Sequence, residues 1–370
     1  MVPGASGPLS DQATGGTETS NTATVDGGNP VMRPCDTCPA RNECRDCCFG
    51  QALQKPGLEP FPEYVLPGDQ TEAAAAFAGD ILKYGAPHSL EEQLAVASVL
   101  TGWLKAHVPE FVAGVESLRR TGGPAAVVLR GLPITDARTG ELWSLALSLL
   151  TGAPFQYLQQ PDGGKLVAEL TPKPGYETIK NTGQSRQEFV PHTDFSVFAP
   201  DASPAWLQLV GVHNDAQAWT SYTPIEPFVP ELDERELRKL QTSAFLFQAP
   251  TSFSSRVTLV SKPLPILWRD ENVWQVSLPT HWVKPADEKD DVAQAALDSI
   301  IAKINSGRWT RRMVIGPGEV LIFANHRGLH ARGTVDGNRL VLRTYITRNL
   351  DALRSRTGNT GHILDGFKLL

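Results

Sequence analysis

His192 and Asp194 stand two residues apart in the stretch Gln187-Glu188-Phe189-Val190-Pro191-His192-Thr193-Asp194-Phe195. On a β-strand, residues i and i+2 point to one face. An imidazole nitrogen and a carboxylate oxygen would then enter one cavity together. A second histidine from elsewhere would complete two imidazoles and one carboxylate on one face of a metal. That set suits Fe(II) and leaves positions open for substrates. The spacing alone is not specific. His213-Asn214-Asp215 repeats it after the apolar run Trp206 to Val212, where Asn and Asp suit a turn at a strand end.

A third ligand is available further on. Gly318-Glu319-Val320-Leu321-Ile322-Phe323 reads as a strand leading into Asn325-His326-Arg327-Gly328-Leu329-His330-Ala331-Arg332-Gly333. Asp336-Gly337-Asn338 turns the chain, and the next strand runs Arg339 to Ile346. Arg343, thirteen residues after His330, can return beside it there. Its permanently charged guanidinium can hold a carboxylate by two parallel hydrogen bonds.

These side chains need a scaffold, and 370 residues suffice for one large domain or two small ones. A hydrophobic content of 41% is ordinary for a globular chain. No apolar run reaches membrane-spanning length. A net charge of −6 and a pI near 5.8 leave no basic footprint for nucleic acid. The N-terminus lacks a signal-peptide pattern, so the expected location is cytoplasmic. Residues 1–33 are rich in Gly, Ser, Thr, Asn and Pro, too poor in apolar groups to offset ordering entropy, and read as a disordered tail. All five cysteines then fall in one short segment, 34–69 with its linker. Cys35, Cys38, Cys44 and Cys48 are spaced as possible ligands for Zn or an iron–sulfur centre; Cys47 lies beside the last. A cysteine-rich linker without metal is the plainer reading.

The main domain is expected over residues 70–370. Ser89 and Glu92 form a capping box opening a helix to about His107, closed by Pro109. Ala125 to Leu129 reads as a buried strand, and a second helix runs from about Gly140 to Leu150 with Gly152 as its C-cap signal. Short β-rich runs follow: Lys165 to Leu170, Phe189 to Phe195, Trp206 to Val212, Val257 to Ser261, Ile266 to Trp268, Val273 to Val276, Val320 to Phe323 and Leu340 to Ile346. Helices near 231–242 and 287–305 interrupt them. Turn residues between short strands suit a mainly β barrel or jelly roll with flanking helices.

The ordered set resembles the Fe(II)/2-oxoglutarate oxygenases of the TauD-like superfamily, in its clavaminate-synthase-like branch. The pieces that carry the resemblance are Arg130-Gly131-Leu132-Pro133, Gly152-Ala153-Pro154, Gly163 to Val167, Ser185 to Glu188, His192-Thr193-Asp194, Asn325-x-Arg327-x-x-His330-Ala331-Arg332 and Arg343-x-Tyr345. They span roughly residues 85 to 350, and their order is more specific than any one of them. The resemblance implies a double-stranded β-helix core with His192, Asp194 and His330 as iron ligands. It implies that Arg343 binds the 2-oxoglutarate C5 carboxylate and that Thr220, twenty-eight residues after His192, assists it. The implied reaction oxidises an unactivated C–H of an amino acid or amino-acid-derived substrate, releasing succinate and CO2. The intact carboxylate at 194 argues for hydroxylation, desaturation or ring closure over halogenation.

Two departures bear on substrate. The branch often carries Glu where Asp194 stands, and either oxygen ligand serves. Amino-acid hydroxylases of the branch place a second arginine four residues after the first to grip the substrate α-carboxylate. Counting from Arg343, that position is Thr347, while Arg348 faces the other way on a regular strand. This count points to a carrier-tethered or peptide-bound substrate. Glu188, Gln156, Gln187 and Arg348 remain candidate substrate contacts, His326 is assigned outside the ligand set, and Trp268, Trp274 and Trp282 are assigned to packing. Two other readings stay open: a non-catalytic small-acid-binding protein on the same barrel, and a γ-butyrobetaine-hydroxylase-like enzyme.

Overall fold

The computed structural model describes residues 60–370, apart from 84, 86, 161–162 and 250–257. The expected tail and the cysteine cluster lie outside the described residues. Four helices form the first layer: α1 (Gly68–Lys83), α2 (Leu90–His107), α3 (Pro109–Glu116) and α4 (Ala137–Thr151). Ser89 caps α2 as its sequence dictates, with its hydroxyl accepting the Glu92 N–H and the Glu92 carboxylate accepting the Ser89 N–H. Pro109 ends α2 but then opens α3 at its first turn, where the missing N–H costs nothing. Helix α4 starts earlier than expected because the Asp136 carboxylate accepts the Thr139 N–H. Gly152 follows it in extended backbone. Its value is close approach, since a Cβ there would sit 2.5 Å from the Thr347 carbonyl.

The larger sheet contains β1 (Glu63–Val65), β2 (Ala126–Arg130), β3 (Ala153–Tyr157), β4 (Val167–Leu170), β6 (Trp206–Asn214), β13 (Val320–Ala324), β15 (Arg339–Thr347) and β16 (Ile363–Leu364). Its order is β1-β2-β13-β6-β15-β3-β16, with β4 also on β15. The smaller sheet is β12 (Arg311–Val314), β7 (Trp219–Pro224), β14 (Gly328–Arg332) and β5 (Phe189–His192), in that order. Helices α5 (Glu234–Leu240) and α6 (Asp291–Asn305) pack with β8 (Phe245–Phe247), β9 (Leu267–Asp270), β10 (Val273–Val276) and β11 (Val283–Pro285) around a separate apolar cluster. Helix α7 (Leu350–Thr357) follows β15.

Alternation along the strands builds the layers. On β15, Leu342 and Ile346 join α2–α4 in one core, whereas Val341 and Tyr345 join Tyr222 of β7 and Phe323 of β13 in the core between the sheets. This double-sheet core with helical flanks is the expected architecture. Phe323 is fully buried between Tyr222 and His330, its ring centroid 5.2 and 4.9 Å from theirs. Phe323→Ala is expected to cost about 3–5 kcal/mol, read as a lower denaturant midpoint.

Three local expectations need correction. The strand expected to run to Phe195 ends at His192; Asp194 lies in a turn, and Phe195 takes φ 59°. The region of Val257 to Ser261 contributes only a bridge, Val260 to Gln248, among its described residues. His330, expected just after a strand, lies within β14. No helix among the described residues is long and apolar enough to cross a membrane.

Candidate active site

Strand pairing, not local sequence, brings the two histidines together. His330 on β14 is the register partner of His192 at the end of β5, and their rings lie 4.1 Å apart between centroids. The turn after β5 swings Asp194 back toward them. Its Oδ1 is 3.3 Å from His192 Nε2 and its Oδ2 is 4.0 Å from His330 Nε2. Ligand atoms of all three residues fall within 4.8 Å of one another.

The donor set fits a divalent metal. His192 Nδ1 donates to the Val190 carbonyl at 2.8 Å, which in the neutral ring leaves the lone pair on Nε2. That Nε2 is buried with no hydrogen-bond partner, a costly state unless an electrophile uses its lone pair. Burial, helped by the Arg343 charge, lowers the His330 imidazole to about 3, so it is neutral near pH 7. Burial alone would raise the Asp194 carboxyl. The two imidazoles facing it and the Arg343 guanidinium 3.5 Å away outweigh burial and hold the group well below the carboxylate range. Burial raises the Tyr345 phenol, so its hydroxyl stays protonated and donates to Asp194 Oδ2 at 2.9 Å.

Beside the cluster opens a cavity of about 820 Å³, counting its open mouth. Arg343 lines it, with Nη1 3.5 Å from Asp194 Oδ2 and Nη2 donating to Gln160 Oε1 at 3.0 Å. Thr182, Gln184, Phe189, Gln248 and Trp282 contribute further walls. Gln184 is 4% exposed, and its Oε1 has no hydrogen-bond partner. Glu169 also borders the cavity, but it pairs across β15 with Leu342. Its side chain therefore shares the outer face and meets Lys165 at 3.7 Å.

Away from the cavity, the inner face holds a second cationic group. Arg339 precedes Arg343 by four residues on the same face of β15 and is 2% exposed. Its Nη1 makes one long hydrogen bond, 3.4 Å to the Leu170 carbonyl, and its Nε has none. Arg332 is within electrostatic reach and donates to the Gly183 and Gln187 carbonyls. Burial and the Arg332 charge pull Arg339 down to about 9. Thr220 is the register partner of Arg332, and its buried hydroxyl is also without a partner. Orphaned buried donors beside uncompensated positive charge describe a seat for an anion.

The structure thus gathers His192, Asp194, His330 and Arg343, and sets Thr220 with Arg332. It does not gather the other substrate candidates. Glu188 is exposed and lies before the irregular β5, so strand parity with His192 fails. Gln156 faces away from the inter-sheet core that holds Phe155 and Tyr157, and its Oε1 accepts the Tyr157 N–H. Gln187 contributes its carbonyl to Arg332 and does not line the cavity. Arg348 is exposed, stacks over Trp206 and borders a different pocket. His326 is buried against Trp268 with Nδ1 on the Val276 carbonyl, apart from the ligand cluster. Trp282, assigned to packing, lines the cavity. Residues missed by sequence reasoning include Gln160, Gln184 and Arg339. Only Arg339 had an available signal, its spacing of four before Arg343.

No family model and no curated protein matches the chain. Solved structures do. An asparagine oxygenase in complex with Fe(II), (2S,3S)-3-hydroxyasparagine and succinate superposes with a TM-score of 0.72 at 21% identity, covering 82% of this chain and 99% of that one. The non-haem iron oxygenase OrfP with Fe, succinate and (3S)-hydroxy-L-Arg gives 0.70 at 19%, covering 82% and 99%. OrfP with Fe and α-ketoglutaric acid gives 0.69 at 20%, covering 82% and 100%. At such identity the likeness is one of fold: this chain has the jelly-roll architecture of those oxygenases.

Proposed function

We propose that this chain is an Fe(II)- and 2-oxoglutarate-dependent oxygenase that hydroxylates an unactivated C–H of an amino acid or amino-acid-derived molecule. The observation that carries the reading is the buried His192–Asp194–His330 cluster with its unpartnered Nε2, with Arg343 3.5 Å from Asp194 and a second buried arginine, Arg339, four residues before it on the same strand. Oxygenases of the same fold bind Fe, α-ketoglutaric acid, succinate and hydroxylated amino acids. Fe(II) with 2-oxoglutarate would supply a two-electron oxidation by O2, one oxygen atom going to the C–H and the other to succinate as CO2 is lost.

The residues divide that task. His192, Asp194 and His330 would hold the iron, with Tyr345 orienting the carboxylate. Arg339 and Thr220 would take the far carboxylate of 2-oxoglutarate, because their orphaned groups lie off the substrate cavity and toward the barrel interior. This moves the role expected of Arg343 to Arg339. Arg343, at the cavity wall, would then face the substrate's own carboxylate. The arginine pair spaced by four is Arg339 and Arg343, so the argument from Thr347 against a free amino acid falls. Thr347 instead accepts the Asn349 N–H.

Besides Asp194, the acidic residue at the cavity among the described residues is Glu169, which meets Lys165, whereas Gln160, Gln184 and Gln248 line it. Gln184 Oε1 would accept an N–H from substrate. Gln184→Met is expected to raise the substrate KM about tenfold, the worth of one buried hydrogen bond, with the 2-oxoglutarate KM unchanged. Anaerobic addition of Fe(II) and then 2-oxoglutarate tests the whole reading through the visible charge-transfer band of the chelate. A band, followed by substrate-stimulated succinate release, is the expected outcome. A metal-loaded, folded protein with neither would leave a small-acid-binding protein on the same barrel.

A further inference from the structure

Asp194 has to present its carboxylate from a turn rather than a strand, so no β-ladder holds its backbone. The residue after it adopts φ 59°, and the turn could relax in several ways. The neighbours of Asp194 are tied down, Thr193 by Leu278 and the Phe195 carbonyl by the Ser203 hydroxyl. The backbone of residue 194 itself is held by Asn325, in the connection between β13 and β14 and 0% exposed. The Asp194 N–H donates to Asn325 Oδ1 at 2.9 Å, and Asn325 Nδ2 donates to the Asp194 carbonyl at 3.0 Å. One side-chain amide therefore occupies both polar groups of residue 194, as a neighbouring strand would. The amide is itself fixed, because the Asn325 backbone N–H donates to the Ala205 carbonyl at 3.0 Å.

The same connection leads five residues later to His330. Asn325 thus joins the backbone that carries one ligand to the hairpin that carries another. Tyr345 and Arg343 steer the Asp194 carboxylate from β15, but they reach only its tip. Without the amide clamp, the turn could move the carboxylate by more than the roughly 0.2 Å tolerance of a metal–ligand distance.

We propose that Asn325 is a positioning residue for the metal site, acting through the Asp194 backbone to preset the separation between the carboxylate and His330. This rests on the metal-site reading above. Outer contacts of this kind typically change metal affinity by about 10–100-fold, and that range is expected for Asn325→Ala. Asn325→Asp keeps the shape and the acceptor for the Asp194 N–H, but it sets an oxygen against the Asp194 carbonyl. It too should bind metal more weakly.

Co(II) titration of the full chain, followed by its visible d–d spectrum, tests this without turnover. The control is Ser144→Ala, which removes buried hydrogen bonds to Thr344 and Gln208 on the other face of the large sheet. It should lose stability yet bind Co(II) as wild type does. Weaker binding with an altered spectrum in folded Asn325 variants supports the proposal. Wild-type affinity and spectrum in either folded variant, with only stability reduced, overturns it. If Asn325→Ala does not fold, Asn325→Asp decides. Wild type binding no Co(II) would instead sink the metal-site reading on which the inference rests.

Discussion

His192→Ala is expected to abolish the Fe(II)–2-oxoglutarate charge-transfer band and succinate release together, while the protein stays folded. Loss of an outer-shell partner costs about 10–100-fold in metal affinity, and loss of one of only three protein ligands must exceed the top of that range. Folding should suffer little by comparison. The alanine gives up the stacking of the imidazole on Phe189, 3.8 Å between centroids, but it also removes a buried nitrogen that has no hydrogen-bond partner. The informative companion is His326→Phe. His326 is also buried, and burial lowers it to about 4, yet its contacts are Trp268 and the Val276 carbonyl. That variant should keep the band. Burial is common to both histidines, so a band lost only with His192 assigns the effect to the cluster geometry. A band that survives His192→Ala would remove the metal-site reading, and with it the proposed function.

How much of this was legible in the sequence follows from the range of the forces involved. The ligand identities were legible because metal chemistry restricts residue type, and because His192, Asp194 and His330 came in an order with recognisable neighbours. The barrel was legible because turn residues divide β-rich runs. Helix α2 was legible to its first residue, since the Ser89–Glu92 box is local chemistry. Geometry set by distant pairing was not. Parity from His192 failed for Glu188 because β5 is irregular against β14, with a register shift between His330 and Arg332. It failed for Asp194 because the chain turns at residue 193. Gln156 was misplaced because nothing local says which face of β3 meets the other sheet. Gln160 and Gln184 enter the cavity only because the segments between β3, β4 and β5 fold back over it. The arginine spacing was visible in Arg339-Leu340-Val341-Leu342-Arg343 but was counted forward from Arg343. Only burial distinguishes the deep arginine from the one at the cavity wall.

That distinction yields the second large effect. Arg339→Met should raise the KM for 2-oxoglutarate by about a hundredfold or more, the cost of leaving a buried carboxylate without its charged partner (about 3–5 kcal/mol). The chelate band should require correspondingly more 2-oxoglutarate. Arg343→Met should leave that titration close to wild type and raise the substrate KM instead. The apo-protein offers an independent sign. Arg339 is buried with one long hydrogen bond and a neighbouring like charge, so an apolar side chain of similar volume should leave the apo-protein equally stable or more stable. Wild type should gain thermal stability when 2-oxoglutarate is added with metal, since a ligand that binds only the folded state stabilises it by mass action. Arg339→Met should lose most of that gain. A residue kept for folding would give the opposite pattern: a less stable apo-protein and an unchanged ligand shift. If Arg343→Met is the variant that loses 2-oxoglutarate binding, the roles revert to those implied by the family resemblance. Thr347 would then again stand where the substrate arginine is missing, and a substrate without a free carboxylate would return to the front.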